Sequence, residues 1–175
     1  MAVLIEGISI VVRCKAILES YRGGQSAFVR DVPNGTLCAD GELAAVSFMT
    51  PADAKEYVGS LEKNGLRHNY EDRSVDIVVI DQNSGALGQC SWVSVGAAEW
   101  NNQAGQTVTV CQLVPSVIDQ IVAPAGWVYE RSLTAQGRYV PGNNVPESLK
   151  FVGTEDGMDV FVDDDTAERF YVRRS

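Results

Sequence analysis

Along the first half of the chain, apolar positions recur with periods that name their elements. The N-terminal run up to Val12, in which Ile8, Ile10 and Val12 fall on alternate positions, predicts a buried strand. Cys14, Ile17, Leu18 and Tyr21 then stand at i, i+3, i+4 and i+7, one face of a short helix closed by Gly23-Gly24. A short strand is expected over 27–29, a turn at Asp31-Val32-Pro33-Asn34-Gly35, and a further strand over 43–49.

The strongest local signal is Thr50-Pro51-Ala52-Asp53. Thr50 can accept the amide three residues on, Pro51 suits the first helical position, and Asp53 favours the positive end of the helix. Ala54, Tyr57, Val58 and Leu61 supply the apolar stripe, and Asn64-Gly65 ends it with Leu66 folding back. A β-branched strand over 75–80 follows. The order strand, helix, strand, strand, helix, strand predicts a ferredoxin-like βαββαβ half over 1–81.

After Asp81 the pattern turns β-rich. Strands are expected over 91–95 and 107–113, a short helical face at Val117, Ile118, Ile121 and Val122, and another strand over 127–131. Residues 132–150, with Gly137, Pro141, Gly142 and Pro146, read as a long connection. The tail predicts a hairpin, 159–162 against 169–172, around an acidic turn. The fold class is therefore α+β: a ferredoxin-like half, 1–81, and a β-rich half with one short helix and a terminal hairpin, 82–175, packed as one globular unit.

Composition narrows the classes further. At 175 residues with 45% apolar and 21% charged positions, the chain can bury roughly 70% of its unfolded surface without metal or disulfide. Fourteen Lys and Arg against 23 Asp and Glu leave a net charge of −9 and no basic stripe, which argues against nucleic acid and anionic membrane as partners. The N-terminal apolar run lacks a preceding basic residue and is interrupted by Glu6, unlike a secretion signal, so a cytoplasmic location is expected.

Candidate chemistry is sparse. Cys14, Cys38, Cys90 and Cys111 include no Cys-x-x-Cys pair and no histidine at ligand spacing, so neither a zinc site nor another cofactor is expected. His68 is the only histidine; a Cys/His hydrolase would pair it with Cys38, which reads as part of an accessible loop over 36–41. The acidic tail from Glu155 to Glu168 has carboxylates but not the alternating spacing or central glycine of a calcium loop.

The most informative stretch runs from Gln82 through Ile118, where Glu99 is the only charged residue. Interfaces are depleted of Lys, Glu and Asp and anchored by aromatics. Trp92, Trp100, Trp127 and Tyr129 are the anchors expected to meet a partner. The first functional expectation is a non-enzymatic binding protein that contacts a protein partner or a second copy of itself, as a homodimer. The second is a small-ligand cleft between the halves, lined by Trp100, Trp127 and Tyr129. The third is the Cys38–His68 enzyme.

Overall fold

Glu6 and Gly7 break the N-terminal apolar run into two strands that enter different sheets. β1 (Ala2–Ile5) and β2 (Ile8–Arg13) meet at Gly7, whose φ of 54° puts a would-be Cβ 2.6 Å from the Phe48 carbonyl oxygen. The computed structural model describes residues 1–136, 138–140, 149–155 and 158–172. Next along the chain come α1 (Cys14–Ser20), α2 (Gly24–Asp31), β3 (Cys38–Ala39), β4 (Leu43–Phe48), α3 (Pro51–Lys63), β5 (Asn69–Tyr70), β6 (Arg73–Ser74) and β7 (Ile77–Asp81). They are followed by β8 (Gly85–Leu87), β9 (Val93–Glu99), β10 (Thr107–Leu113), β11 (Ile121–Val122), α4 (Leu133–Gln136) and β12 (Arg138–Val140). β13 (Leu149–Glu155), β14 (Met158–Asp163) and β15 (Arg169–Val172) complete an α+β fold.

Two sheets lie back to back through β2. The first, in the order β3-β4-β2-β7-β8, is antiparallel throughout, with Val11 between Ala45 and Val78. Its pleat sends Ile8, Ile10 and Val12 to the helices, where they pack with Ile17, Phe28, Tyr57 and Leu61. Val11 faces the other way and packs with Val3, Ile5 and Cys111 of the second sheet.

That second sheet runs β11-β1-β10-β9, with β1 antiparallel to β10 and parallel to β11. Its outer face, Ala2, Leu4, Val108 and Val110, is covered by Ile121, Ala123 and a group of aromatics. A third sheet, β12-β15-β14-β13, sends Val160 and Tyr171 into the helix-side core. β1 is thus hydrogen-bonded into the sheet of the later strands, and β8 into that of the earlier ones.

α3 forms as its sequence predicts. Thr50 Oγ1 accepts the Asp53 amide at 3.2 Å, Pro51 opens the first turn, and Ala54, Tyr57, Val58 and Leu61 are buried. At the other end Gly65 N–H donates to Glu62 O (3.1 Å) and Leu66 N–H to Leu61 O (3.2 Å), the paired bonds of a Schellman motif. Gly65 takes φ 106° there. The strands expected at 43–49, 75–80 and 107–113 are present as β4, β7 and β10, and the tail hairpin pairs Val160 with Tyr171.

Four expectations are corrected. Residues 27–29 are helical, inside α2, because Ala27 and Phe28 turn together into the helix-side core; three apolar residues are too few for a period to distinguish helix from strand. The strand between α2 and β4 is instead β3, only two residues long, in the 36–41 stretch expected to be an accessible loop. Residues 117–122 form no helix: Ile121 and Val122 pair with Ala2 and Val3. Residues 127–131 are not a strand either, and Tyr129–Arg131 is a 3-10 turn leading into α4. The connection 132–150 holds α4, β12 and the start of β13, while 137 and 141–148 lie outside the described residues.

Candidate functional site

The joint between the two back-to-back sheets carries a carboxylate, Glu6, that ties it to the 127–133 segment. Glu6 Oε2 accepts the Trp127 indole N–H at 3.0 Å, and Oε1 accepts the Leu133 amide at 3.1 Å. Burial pushes the Glu6 carboxyl above its ordinary pKa, while the Trp127 bond and the Leu133 and Thr134 amides pull it back down. Ser132 completes this anchorage: its hydroxyl donates to Tyr129 O at 2.6 Å and accepts the Ala135 amide at 3.1 Å.

Anchored in this way, Trp127 stands edge-on to Trp100 at 4.6 Å and to Tyr129 at 6.3 Å between ring centres. Three of the four expected aromatic anchors therefore meet, as a half-buried cap on Leu4, Val108 and Val110. Much of their surface is spent on one another and on that small core. Trp92 belongs elsewhere. It packs against the inter-sheet core, donates its indole N–H to Ser74 O at 3.0 Å, and carries the Arg13 guanidinium 5.6 Å above its ring.

A cleft of about 640 Å³ opens beside the Glu6 joint, between the end of β4, the 131–133 turn and the terminal hairpin. Thr36, Ser47, Met49, Arg131 and Tyr171 are among its walls. A smaller bay of about 220 Å³ shares Glu6, Thr36 and Ser47 and reaches Trp127. Trp100 and Tyr129 line neither space.

Cys38 and His68 are not arranged as a nucleophile and its base. Cys38 is only 5% exposed, its neighbours include Val3, Ile5 and Leu43, and burial pushes its thiol up to about 12. His68 is half-buried before β5, its pKa lowered by desolvation; its described ring contact is the Asn69 side chain at 3.5 Å. A thiol held protonated is the reverse of an activated cysteine. Native-state alkylation at neutral pH is expected to mark the half-buried Cys14 and Cys90 slowly and to spare Cys38 and Cys111 until unfolding. Fast, selective labelling of Cys38 would restore the nucleophile.

The acidic tail is occupied by ion pairs, Glu155 with Arg169 and Asp164 with Lys150. Among the described residues no three His, Cys, Asp or Glu side chains are grouped to hold a metal.

What the charge-poor segment builds is an open sheet edge. β9 pairs with β10 on one side, and the outer-edge residues of its seven have no backbone partner among the described residues on the other. The ladder bonds Trp100 N–H to Gln106 O (2.8 Å) and Val114 N–H to Trp92 O (3.0 Å) make even-numbered β9 residues face β10. The backbone groups of Val95, Ala97 and Glu99 therefore point outward. Natural edges are blunted with lysine, proline or bulges. Glu99, at the far end of β9, is the strand's single charge. The lack of charge was visible in the sequence, whereas the edge position depends on β1 taking the other side of β10.

With the geometry in view, comparison with known proteins adds no kinship: no family model matches the chain, and no curated protein or solved structure is significantly similar to it.

Proposed function

We propose that the protein is a non-enzymatic interaction protein that associates with a second copy of itself by pairing β9 with β9. The observation that carries this reading is the long, nearly uncharged open edge. Two chains of net charge −9 repel each other over most of their surfaces, so the charge-free edge is where copies approach at least cost. An antiparallel pairing centred on Gly96 sets Val95 opposite Ala97 and Val93 opposite Glu99, keeping the two Glu99 carboxylates at opposite ends. It would join two four-stranded sheets into one of eight.

Strand order supports the accompanying fold reading. The succession β3-β4-β2-β7 with helical crossovers α1–α2 and α3 is that of a ferredoxin-like unit, on which β8 is an added edge. The acidic surface supports a protein partner over nucleic acid or anionic membrane. Among the described residues no helix is long and apolar enough to cross a membrane.

Sedimentation velocity tests the association. The chain of 18.9 kDa is expected to run at about 38 kDa, twice its mass, at micromolar concentration. Gly96→Glu places two carboxylates face to face at the dyad, at a glycine with ordinary φ and nothing within 4 Å of a new Cβ. Ala97→Pro removes an outward N–H without touching the β10 ladder. Each is expected to return the protein to monomer, while a wild-type monomer or an unaffected dimer would overturn the reading. The cleft of about 640 Å³ beside Glu6 favours a second reading, a small-ligand site, which a monomer with a persistent bound small mass would support.

A further inference from the structure

The chain contains two Asn-Gly dipeptides, Asn34-Gly35 and Asn64-Gly65. Asparagine before glycine readily loses its side-chain amide, because the next residue has no Cβ to shield the backbone nitrogen that attacks it. The folded protein treats the two pairs differently. Gly65 N–H is committed to Glu62 O at 3.1 Å in the cap of α3, and the Asn64 amide donates to Ser60 O at 2.9 Å. The Gly65 nitrogen can attack only after the end of the helix opens.

Gly35 is exposed, lies outside helix and strand, and its N–H donates to no group among the described residues. Asn34 beside it is also exposed, yet its side chain is held in place. Its Oδ1 accepts the Thr36 amide at 3.1 Å and the Thr36 hydroxyl at 2.6 Å, and its Nδ2–H donates to Ser47 O at 2.9 Å. The other acceptor open to the Thr36 hydroxyl, Ser47 O, is farther away at 3.2 Å. The two Thr36 donors draw electron density from Asn34 Cγ. They also stand where negative charge gathers when Cγ becomes tetrahedral, as the donors of an oxyanion hole do.

We propose that Asn34 is a self-modification site, at which the native protein converts its own asparagine to aspartate and isoaspartate. The Gly35 nitrogen bonds to Asn34 Cγ, the Cγ–Nδ2 bond breaks, and ammonia leaves with the proton from the Gly35 N–H. Water then opens the resulting cyclic imide. Cleavage of the Cγ–N bond restores the normal backbone with aspartate at this position. Cleavage at the main-chain carbonyl leaves isoaspartate, which adds one methylene to the chain. Either product replaces an N–H donor by a carboxylate, so the Nδ2 bond from this turn to Ser47 of β4 is lost. Asn34 also lines the cleft of about 640 Å³ beside Glu6, whose wall gains a negative charge. This site is independent of the β9 edge, and it stands or falls separately.

Peptide mapping by mass spectrometry of the full chain, incubated for days in mildly alkaline buffer, tests the assignment. The mass gain of amide-to-acid conversion is expected at Asn34, with aspartate and isoaspartate forms separated by chromatography. The native protein is expected to modify Asn34 roughly tenfold or more faster than Asn64, where the Gly65 hydrogen bond has to break first. In denaturant that difference is expected to vanish. Gly35→Ala is expected to slow the reaction at Asn34 about tenfold by crowding the attacking nitrogen. Gly35 has an ordinary φ and open space around a new Cβ, so this variant keeps its fold. An unmodified Asn34, equal rates at both sites in the native protein, or indifference to Gly35→Ala would overturn the proposal. So would a difference that persists in denaturant, which would assign the selectivity to neighbouring sequence rather than to the fold.

Discussion

Replacing Gly65 by alanine is expected to destabilise the protein by about 4 kcal/mol, the largest loss foreseen for a single methyl group in this chain. Two independent effects combine. At φ 106° an L-residue is held outside its allowed regions, for about 1–3 kcal/mol. The added Cβ is also driven into the Ser20 carbonyl oxygen, a backbone atom that cannot swing aside, so the end of α1 has to move for roughly as much again. The same junction holds the Arg22 amide on Asn64 O at 2.8 Å, so displacement would propagate into the turn before α2. Thermal denaturation is expected to show a midpoint lowered by roughly 10 °C. A shift below about 2 °C would mean that the ends of α1 and α3 are not in contact as described here.

Glu6→Ala should have the next largest effect, on the order of 3 kcal/mol, through the donors it leaves behind. The Trp127 indole N–H and the Leu133 amide lose their acceptor together, and the Thr134 amide loses its favourable charge. Trp127 would no longer be fixed against Trp100 and Tyr129, so its fluorescence is expected to move to the red along with the loss of stability. The pH dependence has a definite sign. Burial raises the folded carboxyl above the unfolded one, so the folded state holds the proton more tightly. The contribution of Glu6 is then full below the ordinary glutamate pKa and declines as pH rises through the raised folded value. Denaturant melts of wild type and variant should differ more in mild acid than at neutral pH. The opposite trend would mean that the hydrogen bonds outweigh desolvation.

Glu6 also shows where reading the sequence stops. Its partners are 121 and 127 residues away, and nothing near position 6 announces them. By contrast, every device that defines α3 lies within a few residues of its ends: Thr50, Pro51, Asn64-Gly65 and Leu66. These local signals were legible, as were β4, β7, β10 and the last hairpin, whose apolar spacing suffices to identify them. Segments decided by distant neighbours were not. Residues 117–122 carry apolar residues at helical spacing, yet two of them are taken by β1 as a short parallel strand. The turn-forming neighbours of Cys38 predict an accessible loop, whereas a two-residue strand turns it into the inter-sheet core. Of the candidate site residues, the meeting of Trp100, Trp127 and Tyr129 was not derivable from spacing, and the separation of Trp92 was equally hidden.

The placement of β1 has a consequence for how the chain is made. Its partners β10 and β11 end at Leu113 and Val122, so β1 is synthesised long before the strands it pairs with. At about 5–20 residues per second, synthesis leaves Ala2–Ile5 without its sheet for on the order of ten seconds, while the helix-covered sheet can already assemble around β2. Such long-range pairing slows folding, because loop closure has to precede the contacts that reward it. During that interval the nascent chain presents an unpaired apolar strand, the kind of segment that chaperones shield, and its safe capture depends on β10 arriving before a neighbouring chain does.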